Sequence, residues 1–191
     1  MSLPGAAKSV VNLLRSQYET RFGALGAPTF SLIGPATLAD GLHDQVTVFP
    51  YRVEQDTTRR HQDLPPATPR GARRSALVVD LRILVTAWMN DPEGELLVLG
   101  RCMEILDQQP VLSGPLLDPG YPWDPDTALR VTLDHQTPEE SFRLWDALTP
   151  SYRLSVPYIL RTIRLSPMEI AEAPPVGAAT RVYVPALPED P

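Results

Sequence analysis

The sequence predicts an α+β domain, a mixed β-sheet flanked by short helices. Three observations carry that prediction. The run "SALVVDLRILVTAWM" (75–89) alternates its side chains over a length that only a strand or a long helix could use, and it is rich in β-branched residues. Three other segments (6–22, 92–109 and 138–148) space their apolar residues at the helical period. These elements interleave with further β-prone runs in the order α, β, β, β, α, β, α, β.

The first helix sets Val10, Val11, Leu14, Tyr18 and Phe22 on one face, and Gly23 ends it. "GAPTFSLIGP" is short; it fits a strand at Thr29–Ile33 without excluding a loop. "QVTVFPYRVE" (45–54) is a strand by its valines, with Pro50 marking an edge or a bulge. Residues 54–74, "EQDTTRRHQDLPPATPRGARR", lack apolar periodicity and make a loop long enough to be functional or disordered.

In the clearest strand, 75–89, Leu77, Val79, Leu81, Ile83, Val85 and Ala87 share an apolar face. The opposite face is mixed, and Asp80 and Arg82 stand two residues apart on it, where they can pair. Asp91 caps the next helix and Pro92 occupies its first position. That helix runs to about Gln109 and is expected to bury Leu96, Leu99, Met103 and Leu106. A proline-rich loop (110–126) leads to the strand "ALRVTLDHQ", with Leu129, Val131 and Leu133 inward, and Thr137-Pro138-Glu139-Glu140 opens the last helix as a capping box.

The final strand lies in "ALTPSYRLSVPYILRTIRLSP" (147–167) and carries Pro157 at its middle with Arg153, Arg161 and Arg164 along it. Proline cannot donate to a ladder, so this strand is expected at a sheet edge. A domain of 1–166 is then followed by a tail, 167–191, whose six prolines forbid a core element. Within it Thr180 precedes one β-prone island, Arg181-Val182-Tyr183-Val184.

With 191 residues the chain can bury roughly 70% of its unfolded surface around one core. Hydrophobic residues make up 43% and charged residues 21%, which is ordinary globular usage. No apolar run approaches the ~18 residues of a membrane span, and "MSLPGAAKSVVNLL" lacks the apolar core of a secretory signal. The lone Cys102 excludes an internal disulfide and suits a reducing compartment, so assembly in the cytoplasm and no membrane partner are expected.

The net charge of −6 is unevenly spread. Residues 91–146 hold twelve acids against Arg101, Arg130 and Arg143, whereas 147–166 hold three arginines and no acid. The 54–74 loop carries Arg59, Arg60, Arg70, Arg73 and Arg74 against three acids. Such a molecule can pair head to tail with copies of itself.

Catalytic chemistry finds little support. His43-Asp44 and Asp134-His135 are adjacent pairs, and neighbours in a strand point to opposite faces. Cys102 lies among core residues of a helix, where a thiol is inert. "GPATLADG" lacks the lysine and spacing of a phosphate loop, no metal-ligand cluster occurs, and the basic loop has no interleaved aromatics for nucleic acid. Neither a cofactor nor an enzymatic activity is expected. Two alternatives stay open: a ligand-binding or adaptor module with a pocket lined by Trp88, Trp123 and Trp145, and a small hydrolase using His135 with Asp134 or Asp124.

Three ordered blocks carry a resemblance. They are "VTVFPYRVEQDTTRRHQDLPP", "ALVVDLRILVTAWMNDPEGELLVLGRCMEILDQQPVLSG" and "LRVTLDHQTPEESFRLWDALTPSYRLSVPYILRTIRL", preceded by the N-terminal helix. Together they resemble the tail-terminator, or cap, proteins of phage-tail-like extracellular contractile injection systems of the antifeeding-prophage type. The resemblance implies a tail-terminator-like fold and a homohexameric ring on the baseplate-distal end of tube and sheath. That ring would end polymerisation of the inner tube protein and cap the last layer of contractile sheath protein, in a particle open to release from the cell. It places partner contacts on Arg59, Arg60, Arg70, Arg73, Arg74, Arg153, Arg161 and Arg164, and on the strand-like Arg181–Val184. It also leads us to expect that any larger C-terminal region of relatives is absent.

Overall fold

A computed structural model describes residues 2–38, 41–56, 77–148 and 151–165. The elements are α1 (Leu3–Phe22), β1 (Thr29–Leu32), a 3₁₀ turn (Pro35–Thr37), β2 (Gln45–Gln55), β3 (Leu77–Trp88), α2 (Pro92–Gln108), β4 (Val111–Ser113), a second 3₁₀ turn (Gly114–Leu116), β5 (Ala128–Leu133), α3 (Pro138–Asp146) and β6 (Ser155–Leu165). The six strands form one mixed sheet in the order β1-β2-β3-β6-β5-β4. Only β1 and β2 are parallel; every other pair is antiparallel. This is the α+β architecture the sequence predicts.

Each helix starts where its side chains can satisfy the first free N–H groups. Ser2 Oγ accepts from Gly5 N at 3.1 Å, Asp91 Oδ1 from Gly94 N at 2.7 Å, and Thr137 Oγ1 from Glu140 N at 3.2 Å. In α3 the capping box is complete, since Glu140 Oε2 accepts from Thr137 N at 2.9 Å. Gly5 is required by close approach: a Cβ there would lie 2.8 Å from the rings of Tyr121 and Trp123.

Helices α1 and α2 lie on one face of the sheet and enclose the main core, which includes Val10, Leu14, Ile83, Ile105, Leu160 and Ile163. Each such fully buried side chain contributes about 1.5–3 kcal/mol. A second, smaller core on the opposite face joins Phe49, Leu84, Trp88 and Trp145 with Ile33 and Leu38, so α3 covers only one end of that face. Trp88 and Trp145 meet edge to face at 6.2 Å.

Leu133, expected inward, is instead half exposed at the end of β5, and four further sequence expectations change. The final strand is not an edge: β6 lies between β3 and β5. Pro157 is tolerated there because β5 stops at Leu133, paired with Tyr158. Pro157 O accepts from Asp134 N at 2.9 Å, so the N–H that proline lacks would point at β5 just past its end. Second, α2 buries Val98, Leu99, Cys102, Ile105 and Leu106, whereas Leu96 and Met103 are exposed. Third, the 110–126 loop contains the short edge strand β4, held by Val111–Ser113 against Ala128–Arg130. Fourth, Asp80 and Arg82 do not pair with each other. Asp80 Oδ1 accepts from Thr162 N at 3.2 Å, at a break in the β3–β6 register where Thr162 has φ 70°, and Arg82 turns to other strands. The predicted bulge at Pro50 is present, since the register with β3 skips Tyr51.

Candidate interface surfaces

Both segments expected to touch partners leave from one end of the sheet. Strand β2 ends beside the start of β3, where Asp56 N donates to Val78 O, and Leu77 pairs with Leu165 at the end of β6. The arginine-bearing loop and the tail therefore depart side by side. Arg59, Arg60, Arg70, Arg73 and Arg74, and Arg181, Val182, Tyr183 and Val184, lie outside the described residues. The three remaining arginines do not form one patch. Arg153 sits at the other end of β6, bonded to Glu95 Oε1 at 2.7 Å and stacked 5.5 Å from the Trp88 ring. Arg161 and Arg164 lie at or near the departing end and are exposed.

On the sheet face that α3 leaves open, β2, β3 and β5 are tied by ions. Arg52 and Arg82 stand opposite each other in the β2–β3 register, an unfavourable like-charge pair. Glu54 neutralises both, at 2.5 Å from Arg52 and 2.9 Å from Arg82. Arg82 also pairs with Asp134, which accepts a 3.3 Å bond from Tyr51 Oη, and Gln136 Nε2 donates to the same hydroxyl at 2.6 Å. Burial acts to lower the Arg82 guanidinium, but its bonds to Glu54 and Asp134 outweigh that and hold it above its ordinary value. Burial, with the Asp134 charge, pushes the Tyr51 phenol up to about 12. Burial likewise raises the Asp80 carboxyl, against the lowering effect of the Thr162 N–H.

Beyond the end of β5 an open groove of about 370 Å³ runs between α2 and α3. Met103, Leu133, Phe142, Tyr152, Val156 and Pro157 supply its apolar lining. Phe142 and Tyr152 lie 5.0 Å apart and are about half exposed, at 52% and 49%. Asp134, His135, Gln136, Ser141 and Ser155 supply its polar lining. Asp107, one turn on from Met103, and Glu139, in the turn before Phe142, are exposed on the same two helices. Sequence reasoning missed this surface. Its one signal on α2 was Met103, an apolar residue outside the stripe that the helix buries.

Of the residues weighed for chemistry, Asp134 and His135 both line the groove, whereas the tryptophans are dispersed. Trp88 and Trp145 belong to the small core, while Trp123 packs against the main core and donates to Asp118 O at 2.7 Å, so the three share no pocket. Asp134 is engaged by Arg82 and Tyr51, and its other oxygen accepts from the backbone N–H of His135. Cys102 is buried, and burial pushes its thiol up to about 12. Among the described residues no group of three His, Cys, Asp or Glu side chains is placed to hold a metal, and no helix is long and apolar enough to cross a membrane.

The family model described as the Pvc16 N-terminal domain matches residues 7–178. Among solved structures, the chain is similar to the PVC sheath/tube terminator of an extracellular contractile injection system in its extended state. The two are 18% identical with a TM-score of 0.55, over 97% of this chain and 65% of that one. It is also similar to the tube-terminating cap of the anti-feeding prophage, at 18% identity and a TM-score of 0.57, over 95% of this chain and 62% of that one. The chain thus spans a little under two thirds of the length of either. No curated protein sequence matches it significantly.

Proposed function

Because the chain belongs to the Pvc16 N-terminal domain family, we propose that it is the cap of a contractile injection particle, closing the baseplate-distal end of tube and sheath. The observation that carries this reading is the match of nearly the whole chain to the fold of two such terminators. In this reading six copies form a ring on the last tube layer and block addition of further tube subunits. Assembly takes place in the cytoplasm, and the finished particle acts outside the cell.

The placement of the segments supports a division of labour. The 57–76 segment, with its five arginines, and the tail beyond Leu165 both start from the end of the β2–β3–β6 ladder. We assign the arginines to acidic surface on the tube or sheath, and Arg181–Val184 to an unpaired strand edge on a neighbouring subunit. In this reading the role is structural.

The test is deletion of the gene in a producing strain, with tube lengths measured on purified particles by electron microscopy. Tubes of scattered or excessive length, or few complete particles, are expected. Particles of wild-type length and yield in the deletion strain would overturn the assignment.

A further inference from the structure

The open sheet face holds two pairs of arginines directly opposite each other, and only one pair is neutralised from within. Arg52 and Arg82 share Glu54, and Arg82 has Asp134 as well. Arg130 and Arg161 are likewise register partners across β5 and β6, so their side chains point to the same face. Arg161 has the carboxylate of Asp80 near it, whereas Arg130 has no ion pair among the described residues, so this second pair is only half neutralised. Val111, which is 38% exposed, continues the row as the β4 partner of Arg130. Like charges directly opposite are destabilising in an isolated sheet. The row is thus an exposed cationic strip with an apolar end, close to the β4 edge.

The groove between α2 and α3 has the complementary chemistry. Met103, Leu133, Phe142 and Tyr152 give it an apolar and aromatic part beside the polar Asp134, Gln136 and Ser141, and the exposed Asp107 and Glu139 stand on the same two helices, four residues after Met103 and three before Phe142. Guanidinium groups stack on aromatic faces and pair with carboxylates. This fold already uses that combination internally, with Arg101 4.4 Å from the Phe22 ring and Arg153 both over Trp88 and bonded to Glu95. The strip lies on the face of β4–β5–β6, whereas the groove lies at the sheet's end between two helices, so one copy can offer both surfaces at once.

We propose that the Val111–Arg130–Arg161 strip of one copy docks in the Met103–Phe142–Tyr152 groove of the next, with Asp107 and Glu139 pairing the arginines. The contact is heterologous, the kind that closes into a ring when its rotation permits. Pro157 favours side-chain docking over strand addition in this groove, because it removes the N–H that an added strand would need there. The proposal rests on the cap reading and supplies its subunit contact.

The test uses the purified full chain in sedimentation equilibrium at concentrations up to about 1 mM. One variant reverses the strip (Arg130→Glu with Arg161→Glu), a second reverses the groove (Asp107→Arg with Glu139→Arg), and a third carries all four changes. The wild type is expected to self-associate, more weakly as salt rises. Each double variant should associate at least about tenfold more weakly, a change of one decade in Kd. An equimolar mixture of the two doubles should recover association, because every contact in an alternating assembly is again complementary. The fourfold variant should recover it alone, which also shows that the substitutions leave the fold intact. A wild type monomeric throughout, doubles that associate as the wild type does, or a mixture no better than its components would each overturn the proposal. None of these results bears on tube length in a deletion strain, so the contact and the cap assignment fail separately.

Discussion

Removing the guanidinium of Arg82 should unfasten three strands at once. Its side chain is 24% exposed, Asp134 10% and Glu54 32%, so the cluster is mostly sheltered but not dry. Truncating one member of a fully buried pair costs about 3–5 kcal/mol, chiefly because the partner charge stays behind unpaired. Glu54 keeps Arg52 at 2.5 Å, whereas Asp134 retains the Tyr51 hydroxyl and the His135 N–H but no second cation among the described residues. Partial exposure lowers the figure, and about 2–3 kcal/mol is expected for Arg82→Ala. For a chain of this size that is roughly 5–10 °C in melting temperature. The assay is thermal unfolding followed by circular dichroism, with Arg82→Ala compared to Arg82→Ala/Asp134→Asn. Removing the stranded carboxylate should restore at least about 1 kcal/mol. An Arg82→Ala protein melting within about 2 °C of the wild type, or a double variant less stable than the single, would refute the account.

Three further outcomes follow from other parts of the molecule. The folded pKa of Asp80 lies above 3.8, so its contribution to stability is fully present below that value and is lost as pH rises through the raised pKa. Asp80→Asn keeps an acceptor for Thr162 N and should flatten that loss while leaving stability at pH 7 equal or higher; clear destabilisation at pH 7 in urea titrations would count against it. Reversing Arg59, Arg60, Arg73 and Arg74 to glutamate should lower cap occupancy on purified particles and make what remains salt-sensitive, and unchanged occupancy would remove these residues from the interface. Truncation after Ser166 should leave the melting temperature unchanged and weaken attachment to particles; a truncated chain that caps as well as the full one would leave the tail without a role.

Much of the sheet was legible because its long strands repeat their pattern. The apolar face of β3 (Val79, Leu81, Ile83, Val85, Ala87) is the face the helices cover. The N-terminal helix buries Val10, Val11, Leu14 and Tyr18 as its spacing requires. The errors arose where local pattern is silent about neighbours. Pro157 carries the signature of an edge, yet its position is set by where a different strand, β5, stops. Helix α2 carries apolar residues around most of its circumference, so two stripes one step apart fit equally well, and only packing against β3 and β5 selects Val98, Cys102 and Ile105. Strand β4 is three residues long, below the length at which alternation means anything. The ionic cluster is not legible in the sequence, since Tyr51 and Glu54 come from β2, Arg82 from β3 and Asp134 from just past the end of β5, and they meet only through register and a bulge. The groove was hidden for the same reason, its walls being brought together by α2, α3 and the start of β6.

The ladder from which the loop and the tail depart has a mechanical meaning. Force transmitted through the chain beyond Leu165 pulls β6 along its own axis. Nine register positions join β6 to β3 and ten join β3 to β2. Such a pull loads those backbone bonds together, in shear, rather than opening them one after another like a zipper. The three longest strands are adjacent and central, whereas the short β1 and β4 lie at the margins outside the load path. A chain tethered through this end is therefore built to resist sudden axial tension. Its weakest link under load should be the bulged step at Thr162, where the ladder is broken and a side chain, Asp80, holds the N–H that the neighbouring strand does not.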